Sequence, residues 1–336
     1  MSQRVYITDV SPRDGLQNES GVIPTASKIE LVRRLCLTGV DEIEVSSFVS
    51  PRWVPQLGDA ADVFAGAAGH KPPGMIFSAL APNEQGAAAL LGVNSLAQRR
   101  IIDKMSLFTA ASEAFNRKNT NAGIDESLGR FGPALALAAK AGLWVRIYIS
   151  CVIACPYEGD ISPRQVLSVF RKIAGMVTHS DYWPSGSIGE GSTFAGVEID
   201  LGDTIGAATP RTTEDLLNPL LREEGMLAEL GSIGRGNGRM PLVLHFHDTF
   251  GHAAECVKRA LGMGIRSFDG SAGGLGGCPY AKLQNGRRAP GNISTETLVR
   301  TVHAEGFRTG VDLDRLAQAS DYARRLVADA PTAMGG

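Results

Sequence analysis

Leu242-Val243-Leu244-His245-Phe246-His247-Asp248 begins as an apolar run and ends in two histidines one residue apart. A short apolar run closed by polar residues reads as a buried strand. Alternate strand residues share a face, so His245 and His247 point one way from the strand end and Phe246 the other. Two neutral imidazoles on one face can share a metal ion. The competing reading is a polar strand end whose histidines are satisfied by hydrogen bonds.

Working outward, seven more strand-like runs cover residues 5–10, 41–46, 75–80, part of 100–108, 143–150, 196–201 and 265–269. Helical segments separate them at 24–37, 57–67, 83–91, 125–141, 163–177, 209–224 and 252–263, with two more at 294–305 and 313–327. Ser162, Pro163 and Gln165 form a capping-box start, and Gly39 and Gly142 stop the helices before them. The stretches 180–192 and 231–239 are glycine-rich and read as surface loops. Strands alternating with helices make a parallel sheet, and eight is the number that closes a TIM (β/α)8 barrel. An open doubly wound sheet is the alternative. No GxGxxG follows the first strand, which disfavours it. The expected organisation is a barrel domain over 1–311, with loop insertions, and a C-terminal helical extension and tail over 312–336.

The composition fits a globular protein and excludes several other classes. Of 336 residues, 43% are hydrophobic and 20% charged, with a formal net charge of -2. No field of one sign favours nucleic acid or an anionic membrane, and no transmembrane run is present. The cysteine count is an odd 5 with no framework spacing, which points to a reduced, cytoplasmic protein.

Polar residues suited to chemistry recur at the ends of the strands. Arg13 and Asp14 follow the first, Glu44 lies near the end of the second, and Asp203 follows the sixth. His245 and His247 end the seventh, and a long loop after the eighth leads to Asn292. In a barrel these ends meet on one face, where barrel enzymes keep their active sites. Two nitrogens from the histidines with oxygens from Asp14 and Asn292 suit Mg²⁺, Mn²⁺ or Zn²⁺. Glu42 and Glu44 form a carboxylate row that is costly unless paired or metal-linked. Glu44 reads as a base or as a group orienting a ligand, and Asp203 as either of these or as a loop-ordering group. Asp248 reads as a cap for the next helix and His252 as peripheral. Arg13 is either half of a loop ion pair or a fixed donor to a developing oxyanion. Cys278 sits in Gly273-Gly274-Leu275-Gly276-Gly277-Cys278-Pro279-Tyr280, a loop glycine-rich enough to close over substrate.

At these residues the chain closely resembles the hydroxymethylglutaryl-CoA lyase family of the DRE-TIM metallolyases. The strings that carry the resemblance include Ser11-Pro12-Arg13-Asp14-Gly15-Leu16-Gln17-Asn18-Glu19, Ser47-Phe48-Val49-Ser50-Pro51 and Cys155-Pro156-Tyr157-Glu158-Gly159. They continue in Leu201-Gly202-Asp203-Thr204, His245-Phe246-His247-Asp248-Thr249 and Gly276-Gly277-Cys278-Pro279-Tyr280-Ala281. The resemblance implies a barrel lyase that splits 3-hydroxy-3-methylglutaryl-CoA into acetyl-CoA and acetoacetate, with a place in leucine degradation and ketone-body metabolism. It implies Asp14, His245, His247 and Asn292 as ligands of Mg²⁺ or Mn²⁺, Arg13 at the thioester carbonyl and Cys278 as the catalytic thiol. His245, Glu44 and Asp203 match acid–base positions, and Gln17 and Glu296 match substrate-side positions. An acyl-CoA substrate and a homodimer are the implied partners. Extra residues before the fourth strand, at 180–192, at 231–239 and between 281 and 291 depart from the family pattern. The alternatives are a related 3-hydroxyacyl-CoA lyase, an acetyl-CoA-dependent Claisen-type synthase of the same superfamily and a non-catalytic acyl-CoA or metal sensor.

Overall fold

The computed structural model describes residues 3–178, 195–233, 240–276, 278–282 and 288–330, and of 278–282 and 288–289 the backbone alone. Eight strands form the centre: Tyr6–Asp9 (β1), Glu42–Ser47 (β2), Ile76–Leu80 (β3), Lys104–Ala110 (β4), Trp144–Ser150 (β5), Gly196–Asp203 (β6), Leu242–Phe246 (β7) and Ser267–Gly270 (β8). Each pairs in parallel with its sequence neighbours, and β8 pairs with β1, so the sheet closes into a barrel. The expected TIM barrel is the observed one.

Helices wrap the outside: Thr25–Leu35 (α1), Ala60–Ala67 (α2), Glu84–Leu96 (α3), Glu113–Thr120 (α4), Ile124–Gly129 (α5), Phe131–Lys140 (α6), Pro163–Thr178 (α7), Pro210–Leu221 (α8), Glu224–Ser232 (α9), Ala253–Gly262 (α10), Thr295–Ala304 (α11) and Leu313–Ala328 (α12). On α7, Val166, Val169, Phe170, Ile173, Ala174 and Val177 are buried, the spacing of a helix with one apolar stripe against a sheet. The capping box at its start is present: Gln165 Oε1 accepts from the Ser162 backbone N–H at 2.9 Å. The extension α12 lies against α1, where Arg34 sits 4.6 Å from the centre of the Tyr322 ring.

Three stretches of the outer helical layer depart from the sequence reading. The helix expected over 125–141 is two, α5 and α6, with the break at Arg130. Pro133 explains the restart: lacking an N–H, it is tolerated in a first turn but not in a helix interior. The helix α4 was not expected; it is capped by Ser112, which accepts from Phe115 N–H, and ended by Asn121 at φ 53°. The segment after α8 forms a second helix, α9, rather than passing directly into a loop. The insertion at 180–192 lies outside the described residues, as do residues 234–239 of the stretch 231–239, whose first two residues end α9 instead of forming a loop.

The barrel lumen is polar, which determines what lies beneath the site. Ile43 and Val45 join the apolar layer under the helices, whereas Glu42 and Glu44 find charged partners inside. Lys104 pairs with Glu42 and, at 2.6 Å, with Glu198. Arg146, 2% exposed, donates from Nε to Glu198 (2.5 Å) and from Nη1 to both oxygens of Asp269 (2.8 and 3.1 Å). Burial, then the neighbouring Asp269 charge, pushes the Asp200 carboxyl well above the usual carboxylate range. Such buried pairs add little net stability over an apolar core, but removing one member leaves a desolvated charge that costs about 3–5 kcal/mol.

Candidate active site

The chain leaves β1 in a single wide helical turn, Ser11–Gly15, where the sequence suggested an irregular loop. The Val10 carbonyl accepts from Arg13, Asp14 and Gly15 N–H at 3.2, 2.8 and 3.2 Å. Wide turns of this kind recur at functional sites because they swing side chains out of ordinary helical phase. Asp9 pins the turn: Oδ1 accepts from Ser11 N–H (3.0 Å) and Oγ–H (2.6 Å), and Oδ2 from Thr295 Oγ–H (2.7 Å) at the head of α11.

That turn aims Arg13 and Asp14 at the mouth of the barrel. Arg13 donates from Nε to Glu44 Oε2 at 2.5 Å and from Nη1 to Asp14 Oδ1 at 2.6 Å. Tyr148 Oη also donates to Glu44 Oε2 at 3.1 Å, and its ring centre lies 5.4 Å from the guanidinium. Glu44 therefore holds the arginine in place. Gln17 Nε2 donates to Asp14 Oδ1 at 2.7 Å.

Across the mouth stand the histidines, with ring centres 5.3 Å apart. One ligand atom each from Asp14, His245 and His247 lie within 4.8 Å of one another. Asn292 joins them through the backbone: Phe246 C=O accepts from Ile293 N–H (3.0 Å) and Gly291 C=O from Asp248 N–H (2.6 Å), so Asn292 lies beside His247. Its Nδ2 donates to Asp14 Oδ2 (2.8 Å) and to Leu275 C=O (3.0 Å), so Oδ1 is the end of the amide that can bind a cation. Gly276, at φ 96°, makes room: a Cβ there falls 2.5 Å from Asn292 Nδ2. His247 Nδ1 is buried and has no hydrogen-bond partner among the described residues. His245 Nδ1 is taken by Asp269 Oδ2 at 3.2 Å. Asp269 thus holds the His245 ring from behind and leaves Nε2 as its available nitrogen. A buried lone pair with no donor, beside a carboxylate and a second imidazole, fits a divalent cation.

The electrostatics follow from these contacts. Burial disfavours the Asp14 anion, but Arg13 and then the two histidines outweigh it and hold the carboxyl down at about 2. Burial, then the neighbouring His245, pushes His247 down to about 4 from its ordinary 6.5. The folded chain thus resists protonating His247 while the unfolded chain accepts the proton. This group contributes stability that is fully present above pH 6.5 and lost as pH falls toward 4. Urea titrations of metal-free protein across this window should show unfolding midpoints falling with pH. The slope should flatten in His247→Gln; an equal slope in the variant assigns the effect elsewhere.

Other residues singled out in the sequence sit around this set. Asp203 is buried, and its oxygens accept from Ala207 and Ala208 N–H (3.0 and 2.9 Å), so it orders the loop after β6. Burial pushes its carboxyl up to about 6. Glu296 accepts from Gly273 N–H (3.1 Å) and pairs with Arg324 (3.3 Å), away from the histidines. Asp248 accepts from Ala253 N–H (3.1 Å), the expected cap of α10. The Cys278 side chain lies outside the described residues; its backbone begins a short strand paired with Arg288–Ala289. Asp269, Arg146 and Tyr148 escaped the sequence reading. Only Asp269, near the end of β8, carried the strand-end signal that found the others.

Comparison with known proteins shows the family of the chain. The HMGL-like family model matches residues 4–323. The mitochondrial hydroxymethylglutaryl-CoA lyase of Bos taurus is 40% identical over 95% of this chain and 85% of its own length. The cytoplasmic 3-hydroxy-3-methylglutaryl-CoA lyase of Rattus norvegicus is 38% identical over 97% of this chain and 82% of its own. Among solved structures, the HMG-CoA lyase of Brucella melitensis superimposes with a TM-score of 0.80 at 38% identity, covering 98% of this chain and 100% of that one. An HMG-CoA lyase from Acinetobacter baumannii, solved with coenzyme A and 3-methylmalate, gives 0.78 at 31% identity, covering 97% of this chain and 92% of that one.

Proposed function

Because the chain belongs to the HMGL-like family, we propose that it is a metal-dependent carbon–carbon lyase cleaving 3-hydroxy-3-methylglutaryl-CoA to acetyl-CoA and acetoacetate. The observation that carries the reading is the convergence of Asp14, His245 and His247 within 4.8 Å beside an arginine held by two carboxylates. Asp14, His245, His247 and the Asn292 amide oxygen would hold the ion, and a set of nitrogen and carboxylate ligands with open positions suits Mg²⁺ or Mn²⁺. When bound, the ion acts as a Lewis acid toward the substrate's hydroxyl and carbonyl oxygens.

The residues supply the remainder of a retro-aldol reaction. Proton acceptance from the tertiary hydroxyl falls to Glu44 or Asp14: Arg13 and Tyr148 both meet Glu44 Oε2 and leave Oε1 without a partner among the described residues, whereas His245, with Nδ1 on Asp269, keeps only Nε2, which would hold the ion. The alkoxide collapses to the ketone of acetoacetate as the adjacent C–C bond breaks, and the electron pair becomes a thioester enolate. Arg13, permanently charged and pre-oriented, meets that oxyanion. Cys278 protonates the enolate carbon to give acetyl-CoA. Gln17 and Glu296 steady the substrate side of the site through Asp14 and the Gly273 turn, and Asp203 through the loop after β6. The proposal places the protein in the cytoplasm as a homodimer, in leucine degradation and ketone-body metabolism. Among the described residues no helix is long and apolar enough to cross a membrane.

Product analysis over a panel of 3-hydroxyacyl-CoAs, and of 2-oxo acids with acetyl-CoA, tests the reading. Acetoacetate from the methylglutaryl substrate supports it; turnover confined to other hydroxyacyl-CoAs, or condensation of a 2-oxo acid, replaces it. Cys278→Ala should lower turnover by about 10²–10⁴-fold, the loss of one positioned acid, with Mn²⁺ affinity unchanged. Unaltered turnover removes the thiol from the reaction.

A further inference from the structure

Asp269 is a buried carboxylate to which neither the family resemblance nor the reaction above gives a task. It stands directly across from His245 in the register of β7 and β8, and across from Thr8 in that of β8 and β1. Its Oδ2 lies 3.2 Å from His245 Nδ1. Arg146 clamps it by donating from Nη1 to both oxygens, at 2.8 and 3.1 Å. Arg146 is itself anchored by Glu198 (2.5 Å) and by Thr8 Oγ (3.0 Å). Three strands therefore fix the position of one carboxylate behind one imidazole.

The donor and acceptor chemistry is restrictive. An ionised carboxylate only accepts hydrogen bonds, so Nδ1 must carry the proton of the neutral ring. The lone pair is then on Nε2, the ring nitrogen that Asp269 does not take. We propose that Asp269 is a positioning residue for the metal centre, fixing His245 as the Nδ1–H tautomer and aiming its Nε2 lone pair at the ion. Carboxylates behind metal-bound histidines act in this way generally, and their loss typically costs about 10–100-fold in metal affinity. The competing role is purely structural, with Asp269 balancing Arg146 and touching the ring by accident of packing. The inference rests on the metal-dependent reading for its consequence, but the tautomer is a property of the metal-free chain.

The test is nitrogen NMR of the chain labelled with ¹⁵N-histidine, free of metal and at alkaline pH, then titrated with Mg²⁺. The expected spectrum has a proton-bearing Nδ1 and a bare Nε2 on His245, with the Nε2 resonance moving as Mg²⁺ binds. In Asp269→Asn the amide can donate to Nδ1, so the proton population should shift to Nε2. Mg²⁺ affinity by calorimetry should then fall about 10–100-fold, with the circular dichroism unchanged. An Nε2–H tautomer in the unaltered chain overturns the proposal. So does Asp269→Asn with unchanged His245 signals and Mg²⁺ affinity within a factor of about two, well short of that loss. Should the variant not fold, the spectrum of the unaltered chain decides alone. A chain with the expected tautomer and tight Mg²⁺ binding but no acetoacetate production sinks the proposed function and leaves this inference standing. An active lyase with the opposite tautomer does the reverse.

Discussion

Replacing Arg13 by methionine should lower turnover about 10²–10³-fold and weaken the fold by about 3–5 kcal/mol, for two separable reasons. The kinetic loss is that of a fixed positive donor at an oxyanion. Arg13 is 6% exposed and held on two sides, so its charge needs no reorganisation when the enolate forms. The loss of stability is that of a broken buried pair. Glu44 is fully buried, with Oε1 already lacking a partner among the described residues, and without the guanidinium only Tyr148 Oη is left on its other oxygen. A second substitution, Glu44→Leu, removes the stranded charge and should recover most of the stability while turnover stays low. Urea denaturation and steady-state rates on the single and double variants separate the effects. Turnover that returns with stability would mean that Arg13 does no more than neutralise Glu44.

Loss of His245 is the second large effect expected. His245→Ala removes a direct ligand, so Mn²⁺ affinity should fall by more than the roughly 10–100-fold typical of losing an outer partner, with turnover falling at least as far at limiting metal. The fold should tolerate the change. Asp269 keeps both of its bonds to Arg146, and what is lost is one hydrogen bond, about 1–3 kcal/mol when a buried partner is left behind. Calorimetry with Mn²⁺ checks the first expectation and thermal unfolding the second. Unchanged affinity removes His245 from the ligand set.

The sequence reveals those parts of the molecule whose signals are local. Period-two runs and helix caps placed all eight strands, and the strand ends carried Arg13, Asp14, Glu44, His245 and His247 to one mouth. The row of Glu42 and Glu44 was legible as a cost needing payment. Its partners were not, because Lys104 and Arg146 sit on other strands and meet the row only once the barrel closes. Asp269 was hidden for the same reason: in Ser267-Phe268-Asp269-Gly270 nothing local distinguishes a carboxylate behind a histidine from one ending a strand. The wide turn at Ser11–Gly15 escaped because it depends on one carbonyl, that of Val10, serving three amides. Glu44 was legible as an acidic group of the site but not in its contacts, whereas the loop-ordering reading of Asp203 was among the alternatives the sequence offered. The first reaches Arg13 and Tyr148, and the second reaches the amides of its own loop.

We propose that one divalent ion, held where Asp14, His245, His247 and Asn292 converge, serves cleavage of 3-hydroxy-3-methylglutaryl-CoA. The direct measurement strips the purified chain with chelator, returns Mn²⁺ in steps, and follows bound Mn²⁺ by electron paramagnetic resonance and acetoacetate release in the same samples. The stripped chain should release no acetoacetate, and the rate should rise in proportion to bound Mn²⁺, levelling off at a single ion per chain. Acetoacetate without metal, or a fully loaded chain that releases none, would contradict it.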